Sequence, residues 1–350
     1  MNITMKKMGL SLILILSAII FTACSDNDKN TDGGNSKENG KAITIRMANQ
    51  VDENNFLNQG YVKFKEIIEK KSDGQINVEI YNGGTLVSSD EEIVESLKSG
   101  SIELASSSAY GTANTTSVGA LKLFDMPMLF DDREGFYNLL DGDYGDMIKE
   151  QVAENANVEV LGYLDLGFYG ILNGKKSVEK PADLKGLKIR TSAADLHLDT
   201  LSEMGANPTP MAYSEVFTGL QQGTIDGVST TTPLIYGDRF YEVNKNMTLT
   251  NHILLPHVLM VNKDFYSSLS DDLKSVLDES VAEYITFARK LALESEEAAV
   301  QGMKDEGVNV VELTPEQKEE FKKVVAPVVE KHIKDVGEEN YNKAMEELGK

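Results

Sequence analysis

The chain has 350 residues and a formal net charge of −22, with 34 Lys and Arg against 56 Asp and Glu, and it holds one cysteine. At about 100–200 residues per domain, that length allows two domains, each with its own hydrophobic core. So negative a chain argues against a nucleic-acid partner, because binding phosphates requires Lys and Arg to neutralise them. A single cysteine excludes an internal disulfide and is too few for a cysteine-based zinc site.

The front of the chain explains the cysteine. Lys6 and Lys7 precede an apolar run from Met8 to Phe21, about 14 residues long. A membrane span needs roughly 20, so the run fits the core of a signal peptide instead. Phe21-Thr22-Ala23-Cys24 then resembles a bacterial lipobox, with Phe21 where Leu is usual. The expectation is a signal peptide over residues 1–23 and a lipidated Cys24 that anchors the protein outside the cell. The other reading is a plain secreted protein with a buried cysteine. Residues 25–41 contain no apolar side chain and read as a solvated, disordered tether.

Past the tether, Ile43–Ala48 and Gln75–Tyr81 alternate apolar and polar residues and predict strands. Tyr61, Phe64, Ile67 and Ile68 predict a helix over Gly60–Lys71. Ser89 is placed to cap a helix through Leu97, with Asp90, Glu91 and Glu92 at its positive end. Ile102–Ala105 returns to strand. After residue 157 the pattern restarts, with strands at Val158–Tyr163, Leu187–Arg190, Ile225–Val228 and His257–Val261. Helices are expected over Ala194–Met204 and from a Ser214 cap through Gln222. From Asp271 to about Lys304, apolar residues recur at helical spacing, giving one helix long enough to span two domains. A short strand follows at Val308–Val311, and Thr314-Pro315-Glu316-Gln317 is a helix start with a capping box. Alternating strands and helices predict an α/β protein with mixed, mostly parallel sheets. Two such units crossed by a long helix form a hinged, two-lobed binder with its ligand between the lobes.

Catalytic signatures are thin. There is no G-x-S-x-G elbow, and Gly174-Lys175-Lys176-Ser177 lacks the glycine a phosphate loop needs five residues earlier. His197, His252, His257 and His332 form no zinc pattern and read as surface or core histidines. Asp141–Asp146 reads as a turn rather than a metal site. No cofactor or metal is expected.

One stretch is more specific. Lys185-Gly186-Leu187-Lys188-Ile189-Arg190 ends a strand in an arginine, and the run from Pro208 to Gly227 (PTPMAYSEVFTGLQQGTIDG) follows. With Phe124–Phe130, Tyr241-Glu242-Val243 and Thr250-Asn251-His252, this resembles the solute-binding subunits of TRAP transporters, DctP type, from about Ile43 to the C-terminus. The resemblance implies a monomeric extracytoplasmic protein that captures an organic acid (a monocarboxylate, sugar acid or C4-dicarboxylate) and delivers it to membrane permease subunits. The expected lobes are residues 42–166 with 256–295, and residues 167–255 with 296–350. The family's carboxylate-gripping arginine falls on Arg190; a guanidinium fork held at a strand end suits that role. By the same resemblance Tyr213 is an aromatic against the ligand or a core residue beside the helix cap. Asn49 with Gln50, and Ser107 with Tyr110, fall at polar contact positions. Where many relatives carry Gly-Phe-Arg this chain has Gly167-Phe168-Tyr169, and Thr230 replaces an Asn. Tyr169 and Thr230 donate hydrogen bonds without charge, so one anionic anchor completed by neutral donors is expected, favouring a monocarboxylate or sugar acid. The alternative is a lipid-anchored surface enzyme acting on a small organic acid.

Overall fold

The computed structural model describes residues 42–350, so the leader, Cys24 and the tether lie outside the described residues. The first part of the chain forms β1 (Ile43–Ala48), α1 (Phe56–Lys71), β2 (Ile76–Tyr81), α2 (Asp90–Ser99), β3 (Leu104–Ser108), α3 (Ala109–Thr116), α4 (Arg133–Asp141) and α5 (Asp143–Asn155). Then come β4 (Val158–Asn173), β5 (Lys188–Thr191), α6 (Asp195–Glu203), β6 (Asn207–Pro210), α7 (Val216–Gln222), β7 (Gly227–Thr231), α8 (Thr232–Gly237) and β8 (Asn246–Leu249). The remainder is β9 (Leu254–Asn262), α9 (Lys263–Ser268), α10 (Asp271–Asp305), β10 (Asn309–Glu312), α11 (Pro315–Val336) and α12 (Glu338–Leu348).

Local chemistry sets most boundaries. Asn55 caps α1 by accepting the Leu57 N–H at 3.1 Å, which starts that helix four residues before its apolar periodicity is visible. Ser89 caps α2 as expected, accepting the Glu92 N–H. The Thr314–Gln317 capping box is formed in both directions. Ser214 does not cap: it lies in a 3₁₀ turn, Tyr213–Glu215, and α7 begins at Val216.

The sheets are mixed. Parallel ladders join β1 to β2, β8 to β10, β5 to β6 and β5 to β7. An equal number are antiparallel, joining β3 to β9 and β4 to β7, β8 and β9. The expectation of mostly parallel pairing therefore fails, and β4 is the reason. This 16-residue strand pairs with β9 along its first part and with β7 and β8 along its last five residues, running through both halves of the molecule. Its register shifts between Asp165 and Phe168, where the strand passes from one half to the other.

The long helix α10 makes the same passage. Leu277, Val281, Tyr284, Ala288 and Ala292 pack with α1 and β1, around Tyr61 and Phe64. One helical stretch later, Met303 joins Phe240, Val228 and Met247 in a separate cluster. α11 crosses as well: Phe321 and Val325 pack with Ile189 and Leu201, whereas Val328 and Val336 pack with Phe124 and Phe136. α12 follows onto that side, with Ala344 buried against α4 and α5. From Val328 the chain thus packs with the first half, whereas the sequence assigns residues 296–350 together to the second, because α11 carries the chain back.

Candidate ligand-binding site

Between the halves lies a cavity, at the C-terminal ends of β1, β3, β5 and β7, where ligands bind in open α/β sheets. Arg190 enters it from β5, next to Ile189, whose side chain is buried in the opposite cluster. The arginine is 5% exposed. Its Nε and Nη2 donate to Met211 O at 3.0 and 2.7 Å, and its guanidinium carbon is 5.5 Å from the centre of the Tyr213 ring. Among the described residues no carboxylate pairs with it. Burial alone depresses its pKa, against attraction from Tyr169, Tyr213 and Asp90.

Asn49, Gln50, Tyr110, Tyr169, Tyr213 and Thr230, all singled out in the sequence, line the same cavity. Asn49 is engaged by the fold itself, donating to Asn58 Oδ1 and accepting the Val51 N–H. Tyr169 is nearly buried between the rings of His197 and His252, and that desolvation raises its hydroxyl pKa. Ser107 is turned away: its hydroxyl donates to the Asp90 carbonyl at 3.0 Å. Alternation along β3 presents Ser106 and Ser108 to the cavity instead.

Four cavity residues carry no signal of their own in the sequence. Asp90, the first residue of α2, accepts hydrogen bonds from Gln50 Nε2 at 3.1 Å and from Ser108 Oγ at 2.7 Å. Ser192 lies two residues past Arg190 and is joined to His197 Nδ1 at 2.7 Å. His197 Nε2 in turn meets Asp125 Oδ1 at 2.9 Å, in a pair almost wholly buried. His257, joined to Ser106 Oγ, is held below its ordinary pKa by burial. His197 and His257 therefore belong to the cavity wall, and only their position in the fold reveals it. His252 stands behind Tyr169, bonded to Thr250 and Ser229, and burial lowers its pKa to about 3. His332 is remote, between Asp199 and Asp335. Among the described residues no cluster of ligating side chains could hold a metal, and no helix is long and apolar enough to cross a membrane.

Residues 47–335 match the family described as bacterial extracellular solute-binding protein, family 7 (DctP). The chain is 32% identical over 249 residues to the 2,3-diketo-L-gulonate-binding periplasmic protein YiaO of Escherichia coli, covering 71% of this chain and 75% of that one. It is 30% identical over 298 residues to the C4-dicarboxylate-binding periplasmic protein DctP of Rhodobacter capsulatus, covering 85% and 88%. The fold matches the sugar acid binding protein DctPAm of Advenella mimigardefordensis in complex with galactonate, with a TM-score of 0.84 and 30% identity over 88% of this chain and 98% of that one.

Proposed function

Because the chain belongs to the DctP family, family 7 of the bacterial extracellular solute-binding proteins, we propose that it captures a polyhydroxylated monocarboxylate and hands it to a TRAP permease. The observation that carries this reading is Arg190, a buried guanidinium whose only protein acceptor among the described residues is one backbone carbonyl. A ligand carboxylate supplies the missing counter-charge in bidentate geometry, and Tyr213 backs the fork. Tyr169, Thr230, Ser192 and Tyr110 offer neutral hydrogen bonds.

The ligand's other end is governed by Asp90. A carboxylate lining the cavity accepts hydrogen bonds from sugar hydroxyls and repels a second ligand carboxylate. That combination favours a sugar acid over a C4-dicarboxylate. Galactonate and 2,3-diketo-L-gulonate, named for two of the similar proteins, are the chemistry it fits. Lobe closure about β4 and α10 buries the ion pair and displays the occupied state to the permease. Cys24 supplies the lipid anchor and residues 25–41 the tether, which leaves a monomeric binding domain outside the cell.

Mass spectrometry of small molecules released from freshly purified protein, followed by a thermal-shift panel of organic acids, tests the assignment. A sugar acid recovered intact and stabilising on re-addition supports it; stabilisation by succinate alone contradicts it. One observation gives the enzymatic alternative a foothold, the Ser192–His197–Asp125 line at the cavity. The same extraction separates the two, since an enzyme releases a product.

A further inference from the structure

At the mouth of the cleft stands a carboxylate that the ligand contacts leave unused. Asp238 directly follows α8 and is partly buried between two segments from opposite sides of the cleft. From the β1–α1 loop, the Asp52 backbone N–H donates to Asp238 Oδ1 at 3.1 Å. From the 3₁₀ turn before α7, the Tyr213 hydroxyl donates to Asp238 Oδ2. The ring of that tyrosine is the one that faces the Arg190 guanidinium. A single side chain thus links the rim of one half to the aromatic plate behind the arginine of the other.

We infer that Asp238 is a positioning residue for the arginine clamp, which couples closing of the cleft to the seating of Tyr213 over Arg190. The two carboxyl oxygens of Asp238 accept one hydrogen bond each, from the Asp52 backbone amide and from the Tyr213 phenol. The amide bond forms only when the β1–α1 loop meets Asp238, whereas the phenol bond lies within the other half, where the Tyr213 ring packs on Phe240. Opening the cleft removes the amide and leaves the carboxyl anchored by Tyr213 without its partner from the β1–α1 loop, so the motion that encloses the ligand also fixes the group that seats the ring. The effect on affinity rests on the reading of Arg190 as a carboxylate clamp; the coupling itself needs no ligand.

The same geometry sets a pH dependence. Burial raises the Asp238 carboxyl to about 6, helped by the neighbouring Asp52 carboxylate and opposed by the hydrogen bonds it accepts. The other ionisable neighbours are Tyr213, itself pushed up, and Arg239, which is paired with Glu242 at 2.6 Å. In the open form the carboxyl returns to water and to its ordinary value of about 3.9. The closed form therefore holds the proton more tightly. Closure strengthens as pH falls from about 6 towards 4, and is insensitive to this group above that window.

Amide-resolved hydrogen–deuterium exchange on the full chain, without ligand, reads the Asp52 N–H directly. Asp238→Ala is expected to speed its exchange tenfold or more, and Tyr213→Phe severalfold, while amides of β4 and α10 stay protected. Asp238→Asn, the isosteric variant, guards against misfolding. In calorimetry with D-galactonate, wild type is expected to bind about fourfold more tightly at pH 5.5 than at 7.5, and Asp238→Asn to flatten that profile. The Asp238→Asn, Tyr213→Phe double variant is expected to lose less than the product of the single losses. Unchanged Asp52 exchange in Asp238→Ala, or multiplicative losses in the double variant, overturns the inference. Faster Asp52 exchange in a protein that binds no sugar acid upholds the latch and refutes the carboxylate reading alone.

Discussion

The guanidinium of Arg190 is buried beside one backbone carbonyl and one aromatic face, and burying an ionised group without a counter-charge costs several kcal/mol. Such a cost is sustained where a ligand repays it. On the proposed reading, Asp90, which lines the same cavity, sets what that ligand can carry at its other end. Asp90→Asn removes the repulsion and keeps the shape, so succinate affinity is expected to rise about tenfold, or 1.4 kcal/mol, while sugar-acid affinity falls; competition calorimetry measures both. His252 makes a stability prediction with a definite sign. Its imidazole titrates near 3 in the fold and near 6.5 when unfolded, so unfolding takes up a proton between those values. Stability is therefore lost as pH falls through that window, and urea unfolding of His252→Gln is expected to show a slope shallower by about one proton. At this scale the sequence led to Arg190 and Tyr213 through flanking motifs. It missed Asp90, Ser192, His197 and His257, because each becomes a cavity residue only when two distant segments meet. Ser107 was displaced by one position, since a strand of three consecutive serines has no apolar alternation to fix its facing.

β4 and α10 are the elements that connect the halves, and one charge network fastens them together. Arg133 of α4 bonds Asp165 Oδ2 at 2.7 Å and Glu296 Oε2 at 2.8 Å, and the same Glu296 oxygen accepts the Phe168 N–H. Gly167, with φ +94°, lies at the register shift, where an added Cβ would stand 2.7 Å from Glu296 Oε2. Asp165 has no exposed side-chain surface, so Arg133→Met strands a carboxylate in the interior. The expected loss is about 3 kcal/mol in urea unfolding, as for other buried pairs broken on one side. A loss below 0.5 kcal/mol would mean that this junction is solvated. α10 was legible because it is half-buried along its whole length and carries a helical stripe. β4 was legible only as far as Tyr163: beyond it the strand is buried on both faces and broken by Gly167 and Gly170, so no alternation remains to read. α3, with sequence AYGTANTT, escaped for want of any apolar period.

Across the whole molecule, a net charge of −22 repels the anion that the site is proposed to hold. The field is long-ranged and screened over about 10 Å at 0.1 M salt, whereas the buried contact with Arg190 is little affected. Association in stopped flow is therefore expected to accelerate severalfold between 0.01 and 0.15 M salt, with dissociation nearly constant. Association slowed by salt would instead place a positive field at the cleft mouth. The overall architecture was readable from alternation, helix caps and one long amphipathic helix. The return of α11 and α12 to the first half was not, because nothing local distinguishes a helix that crosses from one that stays. The carboxylate clamp is tested most directly by calorimetry of the acid recovered from the protein, on wild type and Arg190→Ala. A weakening of about 30-fold or more, some 2 kcal/mol, is predicted; equal affinity in the two proteins would contradict it.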